Sequence, residues 1–122
     1  MTTPKRDKAD GPIRHVTMIN LALVAIQPVS AGFLMSGFDY AATVHTVVAS
    51  ALQIGALIQS VTAIVLWRRR RVSSRVAAFG VGLFAMVFLQ VGLGFNREYW
   101  LHVPIGVGLV GWLTRQVSSA PG

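Results

Sequence analysis

The chain has 122 residues, 53% of them hydrophobic and 12% charged, with a formal net charge of +7. A water-soluble domain carries about a quarter charged residues, so this composition excludes an ordinary soluble fold and points to an integral membrane protein. The basic residues gather at the ends and in one cluster rather than over a face, which sets nucleic acid aside as a partner. The absence of cysteine excludes disulfides, thiolate metal ligands and c-type haem attachment.

Residues 1–14, "MTTPKRDKADGPIR", are polar, basic and proline-containing, and read as a disordered cytoplasmic lead. Four apolar segments follow, at 15–37, 41–67, 76–95 and 98–116. Each approaches the ~20 residues that a helix needs to cross ~30 Å of hydrocarbon. Their links are brief: "FDY", then "RRRRVSSR", then "NRE". Short links make sequential helices antiparallel neighbours, and irregular backbone cannot face lipid. The expected fold is therefore an all-α, four-transmembrane-helix up-down-up-down bundle over 15–116, with 117–122 as a cytoplasmic tail. The first span has a basic start and a small-residue "VSAG", but its apolar stretch is long for a signal peptide, so it reads as a retained span.

Orientation follows from the positive charges. Lys5, Arg6, Lys8 and Arg14 precede span one, Arg68 to Arg71 and Arg75 join spans two and three, and Arg115 closes span four. Arg97 stands alone at the other end. The positive-inside rule then puts both termini in the cytoplasm of a plasma-membrane protein, with the turns at 38–40 and 96–98 outside. The arginine run also meets anionic lipid.

Two histidines share a depth. His45 follows Ala41, the outer start of span two, by the same number of residues as His102 follows Glu98, the outer start of span four. At ~1.5 Å per residue both lie ~6 Å inside. Spans two and four are diagonal partners that run in one direction, so inward-facing imidazoles oppose each other across the core. That arrangement can grip a haem by its iron, and ionisable groups inside a span are functional candidates. The competing reading for each is an interfacial polar residue. His15, at the cytoplasmic edge of span one, has no such mate and reads as interfacial. Asp39 and Glu98 lie close in depth to the pair, but in turns and without a zinc-type spacing.

The two hairpins resemble each other. The first reads "AIQPVSAGF", a turn, then "VHTVVA"; the second reads "FLQVGLGF", a turn, then "LHVPIG". A pseudo-twofold axis along the bundle would pair Gln27 with Gln90 and His45 with His102, the kind of parallel repeat that builds a central site. Gln27, Gln53 and Gln59 read as interhelical glue, and Gln90 as either glue or a hydrogen-bond donor behind a histidine or at a haem edge. Gly94 and Gly106 would let a ring or a backbone approach closely, or simply serve helix packing. Pro104, two residues past His102, helps to aim that ring. Arg97, one turn from His102, suits a haem propionate or a surface ion pair with Asp39 or Glu98. Trp67, Tyr40, Tyr99 and Trp100 mark interfacial belts.

The "Q-x-x-L-G" of span three (Gln90, Leu93, Gly94), followed by a short turn and a span-four histidine, resembles the heme A synthase family. Members of that family look like tandem copies of a four-helix unit, with haem-ligating histidines in the second and fourth helix of each copy. This chain is similar to one such unit over nearly all of 15–116. The resemblance implies His45 and His102 as the axial pair. The family commonly has a glutamate three residues before the second-helix histidine and an arginine just after it, where this chain has Ala42 and Thr46, and many members carry an extracellular cysteine pair missing here. The carboxylate proposed to act in oxidising the haem is therefore absent.

The leading expectation is a small bis-histidine cytochrome b, with one haem b per chain near the outer leaflet, serving electron transfer or haem handling. One haem near one face cannot carry electrons across a bilayer alone, so a quinone, another redox partner, a homodimer or a larger respiratory or haem-handling complex is implied. The rivals are a reduced heme A synthase-like haem oxidase and a cofactor-free membrane assembly subunit.

Overall fold

A computed structural model describes residues 10–119. These form four helices: α1 (Asp10–Met35), α2 (Tyr40–Arg68), α3 (Ser74–Phe95) and α4 (Tyr99–Ser119). No strand occurs among the described residues. Each helix matches an expected span, with differences at the ends. Residues 10–14, expected as part of a disordered lead, are helical. Pro12 is tolerated there because the first turn of a helix has no intrahelical use for its N–H groups. Residues 1–9 of that lead lie outside the described residues. At the other end α4 takes in 117–119 of the expected tail, and 120–122 lie outside the described residues.

Successive helices pack side by side and α4 closes back on α1, whereas the diagonal pairs α1/α3 and α2/α4 share no backbone interface. The three turns stop their helices in the same way. Phe38 N–H bonds the Phe33 carbonyl, Arg71 N–H the Leu66 carbonyl and Glu98 N–H the Leu93 carbonyl. That six-to-one closure needs a left-handed residue just before it. Gly37 (φ 87°) fills the role without strain, but Arg70 (φ 57°) and Arg97 (φ 60°) fill it with a Cβ, at a cost of about 1 kcal/mol each.

Three helices, α1, α2 and α3, are long and apolar enough to cross a membrane. The fourth, expected as a span, is 21 residues long but is not among them. Its aliphatic content is diluted by His102, Pro104, Gly106, Gly108 and Gly111 and by its aromatic residues. The bundle surface is apolar nonetheless: Ile19, Ile26, Val47, Ile54, Val61 and Phe88 are all exposed, among many others. So large an apolar surface is foreign to soluble monomers and compatible with a lipid surround.

The interior repeats with the hairpins. Counting back from Gln27 and Gln90, Val24 matches Val87; counting on from His45 and His102, Leu52 matches Leu109 and Ala56 matches Leu113. All six are buried and belong to one core cluster. One layer breaks the symmetry. Asn20 stands where the second hairpin has Leu83, and both are buried. The Asn20 amide donates to Gln59 Oε1 at 2.7 Å, with both side chains at 1% exposure or less. Gln59 thus makes an interhelical bond between α1 and α2, as expected of it; such amide bonds would help to hold the helices together in an apolar surround.

Candidate functional site

His45 of α2 and His102 of α4 face each other although their helices have no backbone contact. The ring centres lie 6.1 Å apart with the planes at 57°. A metal held by two imidazoles on opposite sides, with bonds of about 2 Å, puts the ring centres about 6 Å apart.

Each ring is held by the other helix of its own hairpin. In the second hairpin His102 Nδ1 lies 2.9 Å from the Gln90 carbonyl. The Gln90 side-chain amide in turn donates to the His102 carbonyl. In the first hairpin the Gln27 amide donates to the His45 carbonyl at 3.3 Å. There the ring does not reach the glutamine carbonyl directly. His45 Nδ1 lies 2.9 Å from Ser30 Oγ, and that hydroxyl donates to the Gln27 carbonyl at 2.9 Å. The acceptor is the same in both hairpins, with one hydroxyl inserted in the first. Ser30 is thus a site residue that the sequence did not single out.

These bonds fix the tautomers. A carbonyl can only accept, so His102 Nδ1 carries the proton. Ser30 has one hydroxyl proton and gives it to Gln27, so His45 Nδ1 must donate to Ser30 as well. In a neutral imidazole that leaves Nε2 of both rings as lone-pair donors. An Nδ1–H bound to a backbone carbonyl or another acceptor is the usual support behind a metal-ligating histidine. Gln27 Oε1 and Gln90 Oε1 are both buried without a hydrogen-bond partner, one more feature that the two hairpins share.

The other expected site residues are distributed as follows. Gly94 lies under the His102 ring: a Cβ there would meet Cε1 at 3.0 Å and Nδ1 at 3.2 Å. Gly106 lies against Gln90, whose Nε2 would stand 2.8 Å from an added Cβ. Both glycines therefore make room for the histidine and glutamine side chains themselves. Arg97 is exposed in the turn between α3 and α4, and the neighbouring Glu98 accepts a bond from Trp100 Nε1 at 2.8 Å. His15 stands apart from the pair, near the start of α1, with Nδ1 2.7 Å from the Gly11 carbonyl.

The donor set decides which group would fit. No cluster of three or more His, Cys, Asp or Glu side chains suited to a metal ion occurs among the described residues, so Asp39 and Glu98 do not complete a bare-ion site with the histidines. Two neighbouring imidazoles without a third side-chain ligand are what a bis-histidine porphyrin iron would need from the protein. No family model, curated protein or solved structure matches this chain.

Proposed function

We propose that this protein is a small cytochrome b, a membrane bundle holding one haem b per chain between His45 and His102. The observation that carries the reading is the 6.1 Å separation of the two ring centres, with each Nδ1 already engaged and each Nε2 left to bind. Bound haem supplies one-electron redox chemistry. The residues do the rest: His45 and His102 ligate, the Gln90 carbonyl and Ser30 hold the rings in the ligating tautomer, and the apolar core below keeps water away. Arg97, at the same end of the bundle, serves a propionate.

The reading sets the bundle in the plasma membrane with all four helices spanning, both termini cytoplasmic and the histidine pair near the outer leaflet. Six-coordinate iron leaves no resting open site, which favours electron transfer or haem handling over oxygen chemistry. Electrons then pass to or from a quinone, a second copy or a larger respiratory or haem-handling complex. The resemblance to half of a heme A synthase supports haem binding, while Ala42 in place of the family glutamate weighs against haem oxidation.

The test is an absorption spectrum of protein purified after haem-replete expression, together with pigment analysis. A Soret band with sharp α and β bands on reduction, the sharp α and β bands being lost in both His45→Ala and His102→Ala, is the expected result. Hydroxymethyl or formyl haem in the pigment would favour the oxidase instead. A colourless protein that takes up no added haem would favour a cofactor-free subunit.

A further inference from the structure

The densest charge on the molecule has no part in the function proposed above. Arg68, Arg69, Arg70, Arg71 and Arg75 fall within the α2–α3 link and the helix ends beside it, and all five are exposed. Little of opposite sign offsets them. Asp39 and Glu98 stand at the other end of the bundle, α3 has no acid in its first turn, and Asp7 and Asp10 belong to a lead in which base outnumbers acid.

The backbone keeps an arginine where glycine would fit more easily. Arg70 takes the left-handed position (φ 57°) that closes α2. Its N–H bonds the Trp67 carbonyl at 2.8 Å, and that of Arg71 bonds the Leu66 carbonyl at 2.9 Å. A residue held in a strained conformation at the surface points to a use for its side chain. Along the helices that carry this charge, Val61, Val65 and Trp67 of α2 and Val81 of α3 are exposed, so the guanidinium groups cap an apolar surface. A soluble polyanion would meet the charge and leave that surface uncovered. An amphiphile with a phosphate head and hydrocarbon tails satisfies both.

We infer that the α2–α3 turn binds the phosphate headgroup of an anionic glycerophospholipid, with Arg70 as a headgroup contact and the acyl tails lying along α2 and α3. The planar guanidinium offers paired N–H donors that match two phosphate oxygens. The arginine run then holds a particular lipid as well as marking an orientation. This depends on a membrane setting but not on haem, so it stands or falls apart from the cytochrome reading.

The probe is the full chain in neutral micelles that hold equal amounts of phosphatidylglycerol and phosphatidylcholine with the same tails. Native mass spectrometry reads how much of each lipid stays bound on release. Wild type is expected to retain phosphatidylglycerol in clear preference. Arg70→Gly should lower that preference about fivefold, the worth of one basic residue at an anionic surface. Arg71→Gln, at a position outside the left-handed region, should do the same. Glycine relieves the strain at position 70, so Arg70→Gly should unfold no more easily than wild type in lipid-free micelles, and its loss then reports on the guanidinium. Equal retention of both lipids by wild type, or a preference unchanged in either variant, overturns the inference. Displacement of the lipid by excess glycerol phosphate would assign the turn to free phosphate, and displacement by an oligonucleotide would assign it to nucleic acid; both results overturn it too.

Discussion

The imidazole of His102 packs against Gly94 so closely that a methyl group there would meet its Cε1 at 3.0 Å. A side chain at this place would have to push the ring by a few tenths of an ångström, against its bond at Nδ1. Gly94→Ala should force the ring off the Gln90 carbonyl and weaken haem binding by about tenfold or more, the usual effect of disturbing a ligand's support. A haem titration of the purified variant checks this. Affinity equal to wild type would mean that the ring gives way without losing its support.

Arg97 occupies a left-handed backbone position (φ 60°). Glycine adopts that conformation freely, so Arg97→Gly should keep the turn and relieve about 1 kcal/mol of strain. Any loss then reports on the guanidinium alone. Haem affinity should fall by about 1 kcal/mol or less, the worth of an exposed ion pair, and the loss should shrink at high salt. Titration at two salt concentrations gives the answer, with a salt-independent affinity equal to wild type counting against a propionate contact.

The Asn20–Gln59 bond is the polar exception in a core that otherwise repeats. Asn20→Leu copies the residue of the second hairpin, Leu83, but strands the Gln59 carbonyl oxygen. It should therefore destabilise the bundle by about 1–3 kcal/mol. Adding Gln59→Leu removes the stranded group and should recover most of that loss. Unfolding in mixed detergent micelles compares the single and double variants, and a double variant no better than Asn20→Leu would show that the amide pair is not coupled.

Much of this architecture was legible in the sequence. The hydrophobic runs and the brief polar breaks locate the helix ends at the three turns to within two residues, because a turn closed by a left-handed residue leaves little freedom in where a helix stops. Helix α1 begins at Asp10, before its expected start, because the first helical turn accepts the proline and charge that read as a lead. The level of His45 and His102 was legible from their distances to the outer helix starts, and their match survives the different Gln-to-His spacing, 18 residues against 12. What the sequence hid lies across helices. Ser30 is one of many small residues along α1, and only the approach of α2 turns it into the link between His45 and Gln27. Asn20 likewise acquires meaning only opposite Gln59. Gly94 and Gly106 signal space for a ring or backbone, and only the fold shows that His102 and Gln90 take it.

Orientation can be read directly, because the chain has no cysteine of its own. Ser36 lies in the α1–α2 turn and Ser73 just before α3, at opposite ends of the bundle. In intact cells a membrane-impermeant maleimide should label Ser36→Cys, and should label Ser73→Cys only after permeabilisation. The reverse pattern would overturn the orientation proposed from the arginines.

The most direct measurement is electron paramagnetic resonance of the ferric protein loaded with one equivalent of haem. A low-spin signal of bis-imidazole type, lost in both His45→Ala and His102→Ala, is predicted. A high-spin signal in wild type, or a low-spin signal that survives both substitutions, would contradict the shared iron.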